Sequence, residues 1–174
     1  MSKYMLDTVA FNRIVENDID VELLMVAANE YYVTHIQRDE ILRCEEPKRS
    51  KLLKIFTVLT MLQIPTESAV LDVSRMDEAK VGGDRMVPTE SAVWGVSCWG
   101  QCNWTSDDNL FQPIVMALDK IKKKKSNLQD ALIAETSIKN GFTLVTDDRG
   151  LHEVLPKYNA KVIYFDVFLA YFKK

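Results

Sequence analysis

Apolar and polar residues alternate along this chain with two different periods, one typical of strands and one typical of helices. Short runs rich in β-branched and aromatic residues predict strands at residues 3–6, 31–36, 142–146 and 161–165. Apolar positions at helical spacing predict helices at residues 8–16, 21–28, 37–43, 47–61, 107–123, 128–139 and 149–155, and a last one capped by Asp166 and ending at Phe172. Strands that alternate with helices favour a parallel sheet covered on both faces. The pattern therefore predicts an α/β fold, a three-layer α/β/α sandwich around a mainly parallel sheet.

One segment in the middle of the chain departs from this pattern. Residues 64–74 (IPTESAVLDVS) recur as residues 87–97 (VPTESAVWGVS), with Pro-Thr-Glu-Ser-Ala-Val identical at an offset of 23 residues. Two units are too few for a repeat architecture, so we interpret them as two similar strands packed together. The alternative is a substrate-contacting insert that includes Glu67, Glu90, Arg75, Trp94, Trp99 and Trp104. We predict a strand-rich insert around residues 64–106.

Length and charge limit the classes to which the protein can belong. The chain has 174 residues, which suits one domain with an ample core, and its net charge is −3. Any nucleic-acid binding must therefore come from a local basic patch. The lysine run at residues 122–125 is one candidate, although such a run is more often a solvated helix end.

The cysteine count and the lengths of the apolar runs indicate the cellular compartment of the protein. No segment approaches the roughly 20 continuous apolar residues that a membrane span needs, so we expect no membrane association. Three cysteines, an odd number, do not suggest a disulfide framework, and no signal peptide is apparent. These observations predict a cytoplasmic protein.

Acidic residues follow the ends of the predicted strands. Asp7 follows the first strand, Glu40 lies just past the second, and Asp147 and Asp148 follow the third. Asp130 opens an apolar helix, where an unpaired charge is costly. Because sites in parallel sheets form beyond the carboxyl ends of the strands, we expect these acids to surround a divalent cation. A helix N-cap is the common alternative role for such an Asp, and it would explain Asp7 or Asp148 by itself.

These motifs resemble those of the PIN-domain nucleases, a family that includes the toxins of many bacterial and archaeal toxin–antitoxin pairs. The resemblance is carried by YMLDT at residues 4–8, QRDEI at 37–41, DALIA at 130–134 and LVTDDR at 144–149. It covers roughly residues 3–62 and 107–172, and it leaves the middle segment unexplained.

The resemblance implies a PIN-like fold and hydrolysis of a phosphodiester bond with one or two Mg²⁺ or Mn²⁺ ions. The implied catalytic residues and metal ligands are Asp7, Glu40, Asp130 and Asp148, with Asp147 as an auxiliary metal ligand. The ions would polarise the phosphate and lower the pKa of the attacking water. Ligands that are all oxygen atoms favour Mg²⁺ or Mn²⁺ over zinc.

Three neighbouring residues are expected to support this site. Thr8 and Thr146 could hydrogen-bond a ligand carboxylate or a water, and Arg149 could contact phosphate.

The expected function is a metal-dependent endoribonuclease that acts on RNA. The expected partners are an antitoxin protein and a second copy of the chain. The alternatives are a structure-specific DNA nuclease and a PIN-like module that binds without catalysis.

Overall fold

The computed structural model of the protein describes residues 2–25, 29–59, 61–68, 110–124 and 126–172. Within these ranges the strands are β1 (Lys3–Leu6), β2 (Glu30–Val33), β3 (Leu62–Gln63), β4 (Thr143–Val145) and β5 (Lys161–Ile163). The helices are α1 (Thr8–Glu16), α2 (Glu22–Met25), α3 (His35–Leu42), α4 (Lys48–Val58), α5 (Phe111–Ile121), α6 (Asn127–Lys139), α7 (Arg149–Val154) and α8 (Phe165–Ala170). A 3-10 turn, Leu155–Tyr158, follows α7.

The five strands form one sheet in the order β3-β2-β1-β4-β5. All four strand pairs of this sheet are parallel, and Leu6 at the end of β1 lies opposite Val145 at the end of β4. The chain moves outward from β1 to one side through β2 and β3, and to the other side through β4 and β5. The direction of winding therefore changes between β1 and β4. In open parallel sheets, ligands bind beyond the carboxyl ends of the strands at this point.

Two apolar clusters cover the two faces of the sheet. Helices α1, α4 and α8 contribute to one cluster, and α5, α6 and α7 contribute to the other. Side chains of β1 alternate between the faces, so that Leu6 belongs to the first cluster and Met5 to the second. Both are fully buried, and a buried side chain of this size contributes roughly 1.5–3 kcal/mol. The predicted three-layer α/β/α sandwich is confirmed.

The boundary between β2 and α3 differs from the prediction because of a helix cap. The strand ends at Val33, since Thr34 and Gln37 form a capping box that begins α3. His35, predicted at the end of the strand, is instead buried in the first turn of the helix.

Three other boundaries also differ. Helix α4 ends at Val58 instead of residue 61, and Leu62 lies exposed in the edge strand β3. Helix α5 begins at Phe111, so that Pro113 occupies its first turn, where a missing N–H is tolerated. The N-cap of α8 is Tyr164, and Asp166 lies one residue inside the helix.

The predicted insert lies mostly outside the described residues. Of the first Pro-Thr-Glu-Ser-Ala-Val copy, only the part up to Ser68 is described, and the second copy lies in residues 69–109. The strand-rich insert and the single-domain organisation stay predictions. No helix in the described ranges combines the length and apolar character that crossing a bilayer requires.

Gln37 connects the start of α3 to the end of β1. Its Oε1 accepts hydrogen bonds from the Thr34 backbone N–H (2.9 Å) and hydroxyl (2.5 Å). Its Nε2 donates to the Leu6 carbonyl (3.3 Å), and the side chain is fully buried. The amide therefore fixes α3 against the strand that precedes Asp7, and Glu40 lies one helical turn further on.

Replacing Gln37 with Leu should lower the free energy of unfolding by roughly 2–3 kcal/mol, because buried backbone groups of Leu6 and Thr34 would lose their partners. Urea denaturation measures this change. The matched control is Gln63→Leu, at an exposed position, with an expected change within about 0.5 kcal/mol. Equal losses in the two variants would contradict the connecting role of Gln37.

Candidate metal centre

Asp7 lies directly after β1, at the point where the winding of the sheet changes direction. Its side chain is only 5% exposed. Oδ2 accepts a hydrogen bond from the Thr146 hydroxyl (2.6 Å), and Oδ1 accepts one from the Thr8 backbone N–H (2.7 Å). Asp7 is also the N-cap of α1, so the capping role and a role in the cluster are compatible.

Glu40 reaches Asp7's neighbourhood from α3. The Thr8 hydroxyl donates a hydrogen bond to Oε2 of Glu40. The adjacent acid, Asp39, forms an ion pair with Arg38 at 3.5 Å. Glu40 is thus hydrogen-bonded to the first residue of α1, next to Asp7.

Asp148 is held on the other side by the turn that follows β4. Its Oδ1 accepts hydrogen bonds from the backbone N–H groups of Gly150 (2.7 Å) and Leu151 (3.2 Å), as the N-cap of α7. Its own N–H donates to the Thr146 hydroxyl (3.1 Å), which in turn donates to Asp7. One threonine hydroxyl thus connects the two strand-end aspartates.

Asp130 approaches this group from the first turn of α6. Burial raises its pKa from 3.8 to about 7, and the negative charges of Asp7, Asp148 and Glu40 act in the same direction. Burial likewise raises the pKa of Asp7 to about 6, against the hydrogen bonds from Thr146 and Thr8. The charges of Glu40 and Asp148 raise it further. The four acids that the sequence predicts as ligands therefore lie near one another, because the charges of Glu40 and Asp148 act on both Asp7 and Asp130. We call them the carboxylate cluster.

Lys124, between α5 and α6, supplies a positive charge to this cluster. Its Nζ lies 3.0 Å from Oδ2 of Asp148. Burial acts to raise the pKa of Asp148, but the Lys124 hydrogen bond and charge and the backbone donors of α7 outweigh it, so this pKa is lowered. The bond to Asp148 in turn raises the pKa of Lys124.

The structure also places the two remaining predicted site residues, Asp147 and Arg149. Asp147 accepts a hydrogen bond from the Phe165 backbone N–H (3.0 Å) and pairs with Arg13 at 3.1 Å. Both of its oxygens therefore connect α1 to the start of α8. Arg149 is exposed at the first residue of α7.

The cluster fits a hard divalent cation by donor type and by position. Four carboxylates lie near the carboxyl ends of β1 and β4, and the two with raised pKa values are the kind that a cation stabilises. In the described part of the chain, however, no three His, Cys, Asp or Glu side chains converge closely enough to hold an ion as they stand. Asp148 contacts Lys124 and Glu40 contacts Thr8, so loading the site requires side-chain rotation.

Sequence reasoning missed two residues that position this site. Gln37 could have been recognised from the Thr34-x-x-Gln37 capping pattern. Gly150 could have been recognised from Asp148-x-Gly150, since a Cβ there would lie 3.0 Å from Oδ1 of Asp148. The pairing of Lys124 with Asp148 could not have been recognised, because the two residues are 24 positions apart and no local motif indicates their contact.

The fold and the order of the strands define a PIN-like three-layer sandwich. The fold of the chain is similar to that in a solved structure, the crystal structure of VapBC2 from Rickettsia felis bound to a DNA fragment from their promoter. The TM-score is 0.52 and the identity 16%, over 93% of this chain and 98% of that one. At this identity the likeness shows the fold alone.

A second solved structure, PAE2754 from Pyrobaculum aerophilum, matches with a TM-score of 0.46 and 13% identity, over 98% of this chain and 89% of that one. No protein-family model matches the sequence, and the comparison with curated proteins also found no match.

The raised pKa values predict an unusual dependence of stability on pH. Asp7 and Asp130 have folded pKa values of about 6 and about 7, above the ordinary 3.8, so the folded state holds their protons more tightly than the unfolded state. Without divalent metal, their contribution to stability should therefore fall as pH rises from about 4 to about 7. Asp130→Asn should remove most of this loss and make the metal-free protein more stable at pH 8, on the order of 2–4 kcal/mol.

Urea denaturation in EDTA at a series of pH values measures this difference. Asp166→Asn is the control, because Asp166 is exposed and its ion pair with Arg13 should contribute about 0–1 kcal/mol. Parallel pH profiles for the wild type and Asp130→Asn would show that Asp130 carries no such charge penalty.

The Thr146 hydroxyl gives a second prediction. Thr146→Val keeps the shape but leaves the buried Asp7 carboxylate without its side-chain donor, so the free energy of unfolding should fall by roughly 1–3 kcal/mol. The matched control is Thr57→Val, whose exposed hydroxyl donates only within its own helix, to Leu53. We expect a change there within about 0.5 kcal/mol. Indistinguishable losses would rule out a special role for the Thr146 bond.

Proposed function

We propose that this chain is a Mg²⁺- or Mn²⁺-dependent endoribonuclease. The observation that carries the proposal is the burial of Asp7 and Asp130 among other carboxylates at the winding change of a parallel sheet. Structural ion pairs could explain a single acid in such a place, but a group of like charges is unfavourable unless a cation joins it. The PIN-like fold and the motif resemblance support the same conclusion.

Asp7, Glu40, Asp130 and Asp148 would hold the ion, which when bound polarises the scissile phosphate and lowers the pKa of a water. The protein's own part is to hold these acids near one another before the ion arrives, with Asp148 and Glu40 rotating as the site loads. Thr146 holds Asp7 and accepts the N–H of Asp148, while Thr8 holds Glu40. We leave Asp147 out of the ligand set, because Arg13 and the Phe165 N–H already occupy its oxygens.

We propose RNA as the substrate, and this choice rests on the family resemblance. Lysines at positions 120, 122, 123 and 124 are exposed, and Lys124 contacts the cluster, so this segment would attract a phosphate backbone. We also propose an antitoxin partner, a homodimer and a cytoplasmic location, and these rest on the same family resemblance.

Asp130→Asn tests the activity directly. The wild type should cleave single-stranded RNA with Mn²⁺ or Mg²⁺ and lose this cleavage in EDTA. Because the variant lacks a ligand charge, its rate should fall by roughly 10²–10³-fold, the factor that corresponds to a few kcal/mol of transition-state stabilisation. Gel electrophoresis of labelled oligonucleotides measures the rate.

The control is Asp166→Asn, which removes an exposed acid outside the cluster and should cleave at the wild-type rate. Equal residual activity in Asp130→Asn would point to contamination or to another site. Parallel reactions with flap and single-stranded DNA separate an RNA nuclease from a DNA nuclease. Binding of RNA without cleavage under either metal would support the binding-module alternative instead.

A further inference from the structure

Lys124 is placed to act on the carboxylate cluster in a way that the nuclease chemistry does not require. Its Nζ contacts Oδ2 of Asp148 at 3.0 Å, and its charge also acts on Asp130. Within the described residues, no other lysine or arginine is ion-paired with an acid of the cluster.

The contact takes the one oxygen of Asp148 that has no backbone donor. Oδ1 of Asp148 is committed to the N–H groups of Gly150 and Leu151 at the start of α7. Oδ2 accepts from Lys124. A cation that binds this carboxylate through Oδ2 must therefore displace the ammonium group or approach close to it.

The backbone that carries Lys124 is held in place, while its side chain can move. Asn127 is buried, and its Nδ2 donates to Oδ1 of Asp119 on α5 (2.7 Å) and to the Lys122 carbonyl (2.8 Å). The Asn127 backbone N–H donates to the Lys124 carbonyl (3.3 Å). The Lys124 side chain is 38% exposed and has a long flexible stem, so it can leave Asp148 for solvent without unfolding the connection.

We propose that Lys124 is an internal counter-ion that occupies the cation position at Asp148 until a divalent ion displaces it, and that it thereby sets the metal affinity of the site. The inference rests on the proposed function for the identity of the ion. The Lys124 ammonium group and the divalent ion would compete for Asp148. The same ammonium group would therefore stabilise the metal-free protein and oppose metal binding. This also explains why the acids do not converge as a loaded site would, since Asp148 is held towards the lysine.

Lys124→Gln tests the competition with two readouts of opposite sign. The metal-free variant should melt at a lower temperature than the wild type, because Asp148 loses its partner. It should nevertheless bind Mn²⁺ more tightly, on the order of tenfold, the lower end of the effect that groups beside metal ligands have on affinity. Calorimetric titration with MnCl₂ at pH 7.5 and scanning calorimetry in EDTA provide the two values.

The control is Lys122→Gln, which removes a positive charge from another exposed side chain, two residues before Lys124. It corrects for the general gain in cation affinity that follows the loss of any nearby positive charge. A tightening in Lys124→Gln no larger than in this control overturns the proposal, and so does an unchanged melting temperature. In an Asp148→Asn background, Lys124→Gln should tighten Mn²⁺ binding no more than Lys122→Gln does, and a larger tightening there also overturns the proposal.

The failures of the two proposals are distinguishable. RNA cleavage by the wild type together with control-like Mn²⁺ affinity in Lys124→Gln contradicts the counter-ion and leaves the nuclease standing. The expected pair of shifts without cleavage of any substrate supports the counter-ion and contradicts the nuclease. Absence of Mn²⁺ binding in both proteins contradicts both.

Discussion

The feature on which the site depends is a group of like charges buried at the edge of an apolar sheet. Asp7 is 5% exposed, and the charges of Glu40 and Asp148 add to the desolvation that raises its pKa to about 6. An arrangement of this kind destabilises a folded protein near neutral pH, unless a positive charge compensates for it. Two surrounding contacts stabilise this arrangement in the absence of metal. The Thr146 hydroxyl donates a hydrogen bond to Asp7, and the Lys124 ammonium group pairs with Asp148.

The parallel sheet brings these charges together because its central strands end at the same place. β1 and β4 are neighbours in register, so the residues that follow Leu6 and Val145 meet at the winding change. Both Asp7 and Asp148 begin helices there, and the partial positive charge of each helix N-terminus favours a carboxylate. The two roles, cap and candidate ligand, therefore share one physical origin, and the presence of a cap is no argument against a metal site.

Much of this arrangement could be predicted from the sequence, because strand ends and caps have local signals. The selection of Glu40 rests on the motif resemblance, because the position of its side chain depends on how Gln37 fixes α3 to β1 through a carbonyl 31 residues away. The two-residue strand β3 could not be predicted from the sequence for a related reason. Its pairing with β2 makes it a strand, and its own residue pattern does not indicate one. The contacts of Asp147 likewise could not be predicted, since they involve two helices distant in sequence.

The central claim is that the carboxylate cluster is one divalent-cation site. A crystal structure of the protein soaked in MnCl₂, with anomalous diffraction data, tests it most directly. The account predicts an anomalous peak within direct coordination distance of oxygens from Asp7, Asp130 and Asp148, with the Lys124 ammonium withdrawn from Asp148. A fully occupied Mn²⁺ peak elsewhere, or no peak while Lys124 keeps its bond to Asp148 at saturating Mn²⁺, would contradict it.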